Sequence, residues 1–128
     1  MRMTLLAASA MLALAPLGAG AQDGVTDVDD FKVDTAQNLL DLCSVDESSP
    51  FYPGALYFCA GFVEGMKNYH DSMSSGPDID PIVCPPEEIS VQDAIAVYVA
   101  YGRANPEYLG EAPADNVMRA AIAQWPCS

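Results

Sequence analysis

Few residues in this chain are equipped for chemistry. There are four cysteines, Cys43, Cys59, Cys84 and Cys127, a single histidine, His70, followed by Asp71, and two aspartates, Asp78 and Asp80, in a proline-rich stretch. Nucleophilic catalysis needs a nucleophile, a base that reaches substrate, and a group that orients the base. His70 falls on the apolar face of a helical pattern and its possible partners are Asp71 and scattered loop serines. It reads as a core or helix-end histidine, so no catalytic residue is assigned and the chain is not expected to be an enzyme. The cysteines are widely spaced, contain no Cys-x-x-Cys and have one histidine between them, which argues against a redox motif and a structural zinc site. Asp78 and Asp80 lack the remaining ligand positions of a calcium loop. Neither a metal nor a cofactor is expected.

An even number of cysteines in an exported chain points to two disulfides. Three connectivities are open, and Cys43 with Cys59 and Cys84 with Cys127 is the favoured one. Export is read from the first residues: Arg2, an apolar run from Leu5 to Leu17, and an Ala-x-Ala site ending at Ala21 describe a signal peptide over residues 1–21, cleaved after Ala21. The run is too short for a membrane span, and no second one is long enough. The mature chain would be periplasmic and keep 107 of the 128 residues, enough for one domain. Without Arg2, four basic residues stand against 18 acidic ones, a formal charge of −14. Such a surface repels nucleic acid and favours basic partners or simple solubility.

The elements that must position these groups are helices. Residues 22–34 read as a flexible acidic lead-in, of which Gln22 to Asp30 is polar and acidic, has no period and carries no core; residues 35–128 read as the helical domain. Asp34 or Thr35 caps a short helix to about Cys43. The main amphipathic helix covers Ala55 to Met73, with Leu56, Cys59, Val63, Met66, His70 and Met73 on its inward face. Gly61 and Gly65 form a small-residue strip on it, read as a site of close packing or dimerisation because helix glycines cost about 1 kcal/mol each. The four prolines and one glycine from Ser74 to Pro86 exclude helix and make a long exposed connection. Ser90 to Asp93 resembles a capping box opening a helix to Tyr101, ended by Gly102. That helix is apolar all round, which predicts burial on all sides or contact with a second subunit, hence a homodimer. Asn105 caps a short turn through Leu109. The last helix runs from about Ala114 to Trp125, with Val117, Met118, Ala121, Ile122 and Trp125 on one face, and Pro126 stops it. The fold class is all-α: a small disulfide-stapled bundle of four to five helices.

These residues resemble a known family, the Rap/Tai immunity proteins, which protect Gram-negative bacteria against amidase effectors of type VI secretion. The resemblance lies in Leu39-Leu40-Asp41-Leu42-Cys43, in Cys59-Ala60-Gly61-Phe62-Val63-Glu64-Gly65, and in Cys84 with Pro85 or Pro86. Gln92, Asn105-Pro106-Glu107 and Trp125-Pro126-Cys127 complete it, so that it covers nearly the whole mature chain. The family pattern has a tyrosine at the place of Phe62 and an aspartate soon after the second glycine, where this chain has Met66-Lys67-Asn68. The resemblance implies a small helical periplasmic protein, often dimeric, that plugs the groove of a peptidoglycan-cleaving cysteine amidase. It implies structural roles for Cys43, Cys59, Gly61, Gly65, Cys84 and Cys127.

A partner-binding loop is sought in Ser74 to Val83, with Asp78, Ile79 and Asp80 as contact residues, because prolines lower the ordering entropy of a docking loop. Two other functions fit the same framework. One is an acid-stress chaperone, whose many carboxylates would be protonated near their ordinary values of about 4. The other is a small envelope binding protein with a different partner.

Overall fold

The computed structural model describes residues 24–128. The expected signal peptide and its cleavage site lie outside the described residues. Four α-helices follow one another: α1 over Ala36–Cys43, α2 over Tyr52–Ser74, α3 over Val91–Ala104 and α4 over Pro113–Gln124. Two 3-10 turns accompany them, Val28–Phe31 before α1 and Pro106–Tyr108 between α3 and α4. Every pair of the four helices is in contact.

Local chemistry sets the helix starts. Thr35 opens α1 by accepting the N–H of Asn38, while the Asn38 side chain accepts the Thr35 N–H in return. Two further first-turn donors of α1, the N–H groups of Ala36 and Gln37, reach the carbonyls of Glu111 and Leu109 at 2.9 Å each. The start of α1 is thereby tied to the turn before α4. Ser90 and Asp93 form the expected reciprocal box at α3. Helices α2 and α4 have no side-chain cap and begin instead with a proline in the first turn, where a missing N–H costs nothing.

The short α1 is the centre of the domain. Ala36, Leu39, Leu40 and Leu42 are all buried, and the two apolar clusters meet across it. On one side Leu42 packs with Val25, Val45 and Ala55; on the other Leu39 packs with Tyr98, Val117 and Ala120. Cys43 is bonded to Cys59, which ties α1 to α2, and Cys84 to Cys127, which ties the approach to α3 to the chain end.

Several expectations need correction. The lead-in is not coreless: Val25 is 3% exposed, and Phe31 meets the Phe58 ring edge-on at 5.9 Å. Its aspartates hid this, because Asp27 and Asp30 are used to cap the first 3-10 turn rather than to solvate a loose tail. Nor is α3 buried all round. Only Tyr98 and Gly102 are fully inside, and the exposed positions are Gln92, Asp93 and Arg103 with three alanines, Ala96, Ala100 and Ala104, which expose little apolar area each. The helix also continues through Gly102. There the Cβ of any other residue would stand 3.2 Å from both Leu40 methyls, so this glycine marks the close approach of α3 to α1. At Gly61 and Gly65 an added Cβ would meet nothing within 4 Å, so no close packing occurs there within one chain. Asn105 stands at the N-cap of the turn after it, with Pro106 in the first turn as expected, but its side chain does not bond there; its amide donates to the Tyr101 carbonyl and finishes α3. On α4 the inward face is Asn116, Val117 and Ala120, rotated from the expected one, and Ile122 is exposed. The rotation follows from Asn116, whose amide is held by the Tyr108 carbonyl and the Glu111 carboxylate.

Candidate functional site

Helix α2 has 23 residues, about 34 Å of rise, against 8 in α1 and 12 in α4. Its buried residues, Ala55, Cys59 and Val63, all lie in the first half. The second half therefore overhangs the core, and residues 75–83 fold back along it. Tyr69 and Met73 on the helix and Ile79 and Ile82 on the returning chain are 64%, 44%, 45% and 54% exposed. These four side chains line one groove of about 380 Å³, together with Met66, His70 and Asp80, and with Ala114, Asp115 and Met118 of α4. Large apolar side chains gathered on one surface, with a charged rim, mark an interaction site more than scattered ones do.

The returning chain is held at defined points. The backbone N–H groups of Ile82 and Val83 donate to His70 Nε2 at 3.2 and 3.3 Å. One residue on, the Cys84 N–H donates to the Trp125 carbonyl at 2.9 Å, and Val83 faces Pro126 in an isolated antiparallel bridge. The Cys84 disulfide closes the same corner. At the helix end Ser74 Oγ donates to the His70 carbonyl at 2.7 Å. The His70 ring is thus engaged with backbone, and that hydroxyl serves the helix rather than the ring.

Lys67 and Asp71 pair at 2.7 Å one turn apart on α2, half-exposed at the edge of the bundle. That hydrogen bond is the main reason the Asp71 carboxyl sits below the usual carboxylate range. Asp78 and Asp80 are exposed on the returning chain. The groove is therefore apolar at its floor and acidic along its rim, the complement of an apolar ridge flanked by basic groups. Beside it, sharing Met66, His70 and Met118, an apolar cleft of about 80 Å³ runs between α2, α3 and α4 toward Trp125.

Of the residues singled out in the sequence, Ile79, Asp80 and His70 come together at this groove, and Asp78 lies on the same returning stretch. Gly61 and Gly65 lie elsewhere on α2 and do not line it. Asp115 and Met118 were missed, because α4 carries no local mark of an outward role. Also missed was the cluster behind them: Arg119 Nε donates to both Glu111 oxygens at 2.8 and 3.0 Å and its guanidinium stacks on Tyr108 at 4.6 Å. Together with Asn116 it fixes the turn from which α4 starts. Among the described residues no three His, Cys, Asp or Glu side chains gather to hold a metal ion, and no helix is long and apolar enough to cross a membrane.

Fold and groove together define a small, doubly disulfide-bonded helical domain that carries an exposed apolar groove. A family model of Rap1a immunity proteins matches residues 35–127, and the chain belongs to that family. It is accordingly an immunity protein, a binder of a cognate secreted effector. No curated protein and no solved structure matches the chain.

Proposed function

We propose that this protein acts in the periplasm as the inhibitor of a peptidoglycan-cleaving amidase delivered by type VI secretion, and that residues 74–83 with the overhanging half of α2 form its docking face. The observation that carries this is the joint exposure of Tyr69, Met73, Ile79 and Ile82 on one acid-rimmed groove. Membership in an immunity family supports a protein partner for it. Paired cysteines are in keeping with an oxidising compartment. The protein acts by occupying the amidase's groove, and no residue of its own takes part in chemistry. A homodimer completes the reading, with the small-residue groove between α3 and α4, at Ala96, Ala100, Ala104 and Ala123, as the first candidate contact.

The test is capture of candidate secreted amidases from periplasmic extract, followed by a peptidoglycan-cleavage assay with and without the protein. Inhibition with a Kd on the order of nanomolar is expected. Replacing Asp78, Ile79 and Asp80 together by alanine should weaken it by about 100-fold or more, the loss typical of central contact residues. Full inhibition by that triple variant would remove the loop from the interface. Capture of no amidase, with suppression of client aggregation only in acid, would replace the inhibitor reading by a chaperone.

A further inference from the structure

His70 is the chain's single histidine, and its ring is 13% exposed at the root of the docking face. Two backbone N–H groups, those of Ile82 and Val83, converge on Nε2. Nδ1 lies 3.4 Å from Asp71 Oδ1. Only one form of the ring satisfies these partners: a neutral imidazole with its proton on Nδ1, facing the carboxylate, and its lone pair on Nε2, facing the two amides.

We propose that His70 is the positioning residue of the docking segment and holds it only while the ring is neutral, so that acidification releases residues 79–83 from α2. Protonation at Nε2 would place a third N–H where two already point, with no acceptor among them. The ring and the chain must then separate, and the two amides turn to water. The groups around the ring favour that outcome. Asp71 stands beside it on α2, Asp80 on the segment itself and Asp115 on α4 line the same groove, and Lys67, paired with Asp71, lines the adjoining cleft. A cationic ring keeps Asp71 on α2 and Asp115 on α4 to turn toward once the amides are lost, while Asp80 leaves with the segment. The release stays local, because Cys84 keeps its N–H on the Trp125 carbonyl and its disulfide to Cys127, neither of which titrates with the ring.

The latch stands on geometry within this chain. Only its consequence, weaker partner binding in acid, rests on the docking face proposed above. Residue-resolved amide exchange of the full processed chain, corrected for intrinsic rates, tests it at about pH 7.5 and about pH 5, either side of the range in which imidazoles titrate. The Ile82 and Val83 amides should lose about tenfold or more of their protection at the lower pH, while the Cys84 amide keeps its own. His70→Gln, which offers an amide oxygen at both pH values, should keep the two amides protected throughout; His70→Phe should leave them unprotected throughout. Equal protection of the wild-type amides at both pH values, or a His70→Gln variant that follows the wild-type loss, would overturn the latch. Should either variant fold poorly, the wild-type ring nitrogen shifts decide: a proton on Nδ1 at neutral pH supports the latch, and one on Nε2 overturns it. Inhibition of a captured amidase that is unchanged while the segment is released would retire the docking face and leave the latch.

Discussion

Tyr98 brings a phenol into the centre of the domain, 1% exposed, and its hydroxyl donates to the Ala36 carbonyl at 3.0 Å. Burial, with Asp41 nearby as a smaller cause, pushes its ionisation well above the ordinary value of 10.0. A neutral form favoured in the folded state makes a contribution to stability that is fully present below about pH 10. It is lost as pH rises above that value, where the unfolded chain ionises and the folded one resists. Urea unfolding followed across alkaline pH should therefore show the midpoint falling from about pH 10 upward. Tyr98→Phe should cost about 1 kcal/mol at neutral pH, the net worth of one hydrogen bond, and remove part of that alkaline loss. A variant with the wild-type alkaline slope would show that the phenol is not its source. The exposed carboxylates behave in the opposite sense. Asp93, hydrogen-bonded first by the Ser90 hydroxyl and then by its N–H, is held below its ordinary value, so its contribution is present above about pH 4 and lost as pH falls.

At the scale of elements, glycine position separates a helix face that packs from one that does not. Gly102 lets α3 come down on Leu40 of α1, whereas Gly61 and Gly65 face open space on α2. Gly102→Val should thus destabilise the domain by about 1–3 kcal/mol through overpacking. Gly61→Ala and Gly65→Ala should each stabilise it by about 0.5–1 kcal/mol, since the alanine meets nothing and helix propensity improves. Thermal or urea unfolding measures both. Light scattering on the two alanine variants should find the wild-type state of association; dissociation would make the strip a subunit contact after all. The same comparison explains α2. Its first half is fixed by Cys59 and Val63, and its second half is free to serve as one wall of the groove.

For the molecule as a whole, the second disulfide matters most. Cys84 and Cys127 are 43 positions apart and join the end of the returning segment to the last residues, while Cys43 and Cys59, 16 apart, join neighbouring helices. Loop-closure entropy alone predicts about 4 kcal/mol for the longer loop and about 3 kcal/mol for the shorter. Replacing Cys84 and Cys127 together by alanine should lower the unfolding free energy by about 4 kcal/mol, read from urea melts. A loss below about 1 kcal/mol would mean that the bridge acts on the folded segment rather than on the unfolded chain. With Trp125 and Pro126 beside it, this corner also bounds the release proposed for residues 79–83.

The helices were legible in the sequence to within a few residues, because what starts and stops them acts locally. Thr35, the Ser90 and Asp93 box, and Pro126 each work on backbone groups no more than four positions away. The all-α class and the family resemblance follow from the same local patterns, and the loop around Asp78 to Asp80 from its prolines. What the sequence left open depends on contacts between residues far apart in the chain. Val25 is buried because α1 and α2 cover it, not because of its acidic neighbours. Gly102, not Gly61 or Gly65, is the close-packing glycine because Leu40 lies opposite. Asn116 turns α4 because Tyr108 and Glu111 hold it, and His70 meets Ile82 and Val83 only because the chain returns along α2. Periodicity states which residues share a helix face; which face finds a neighbour was decided by packing four helices of unequal length, and the groove is the surface that packing left over.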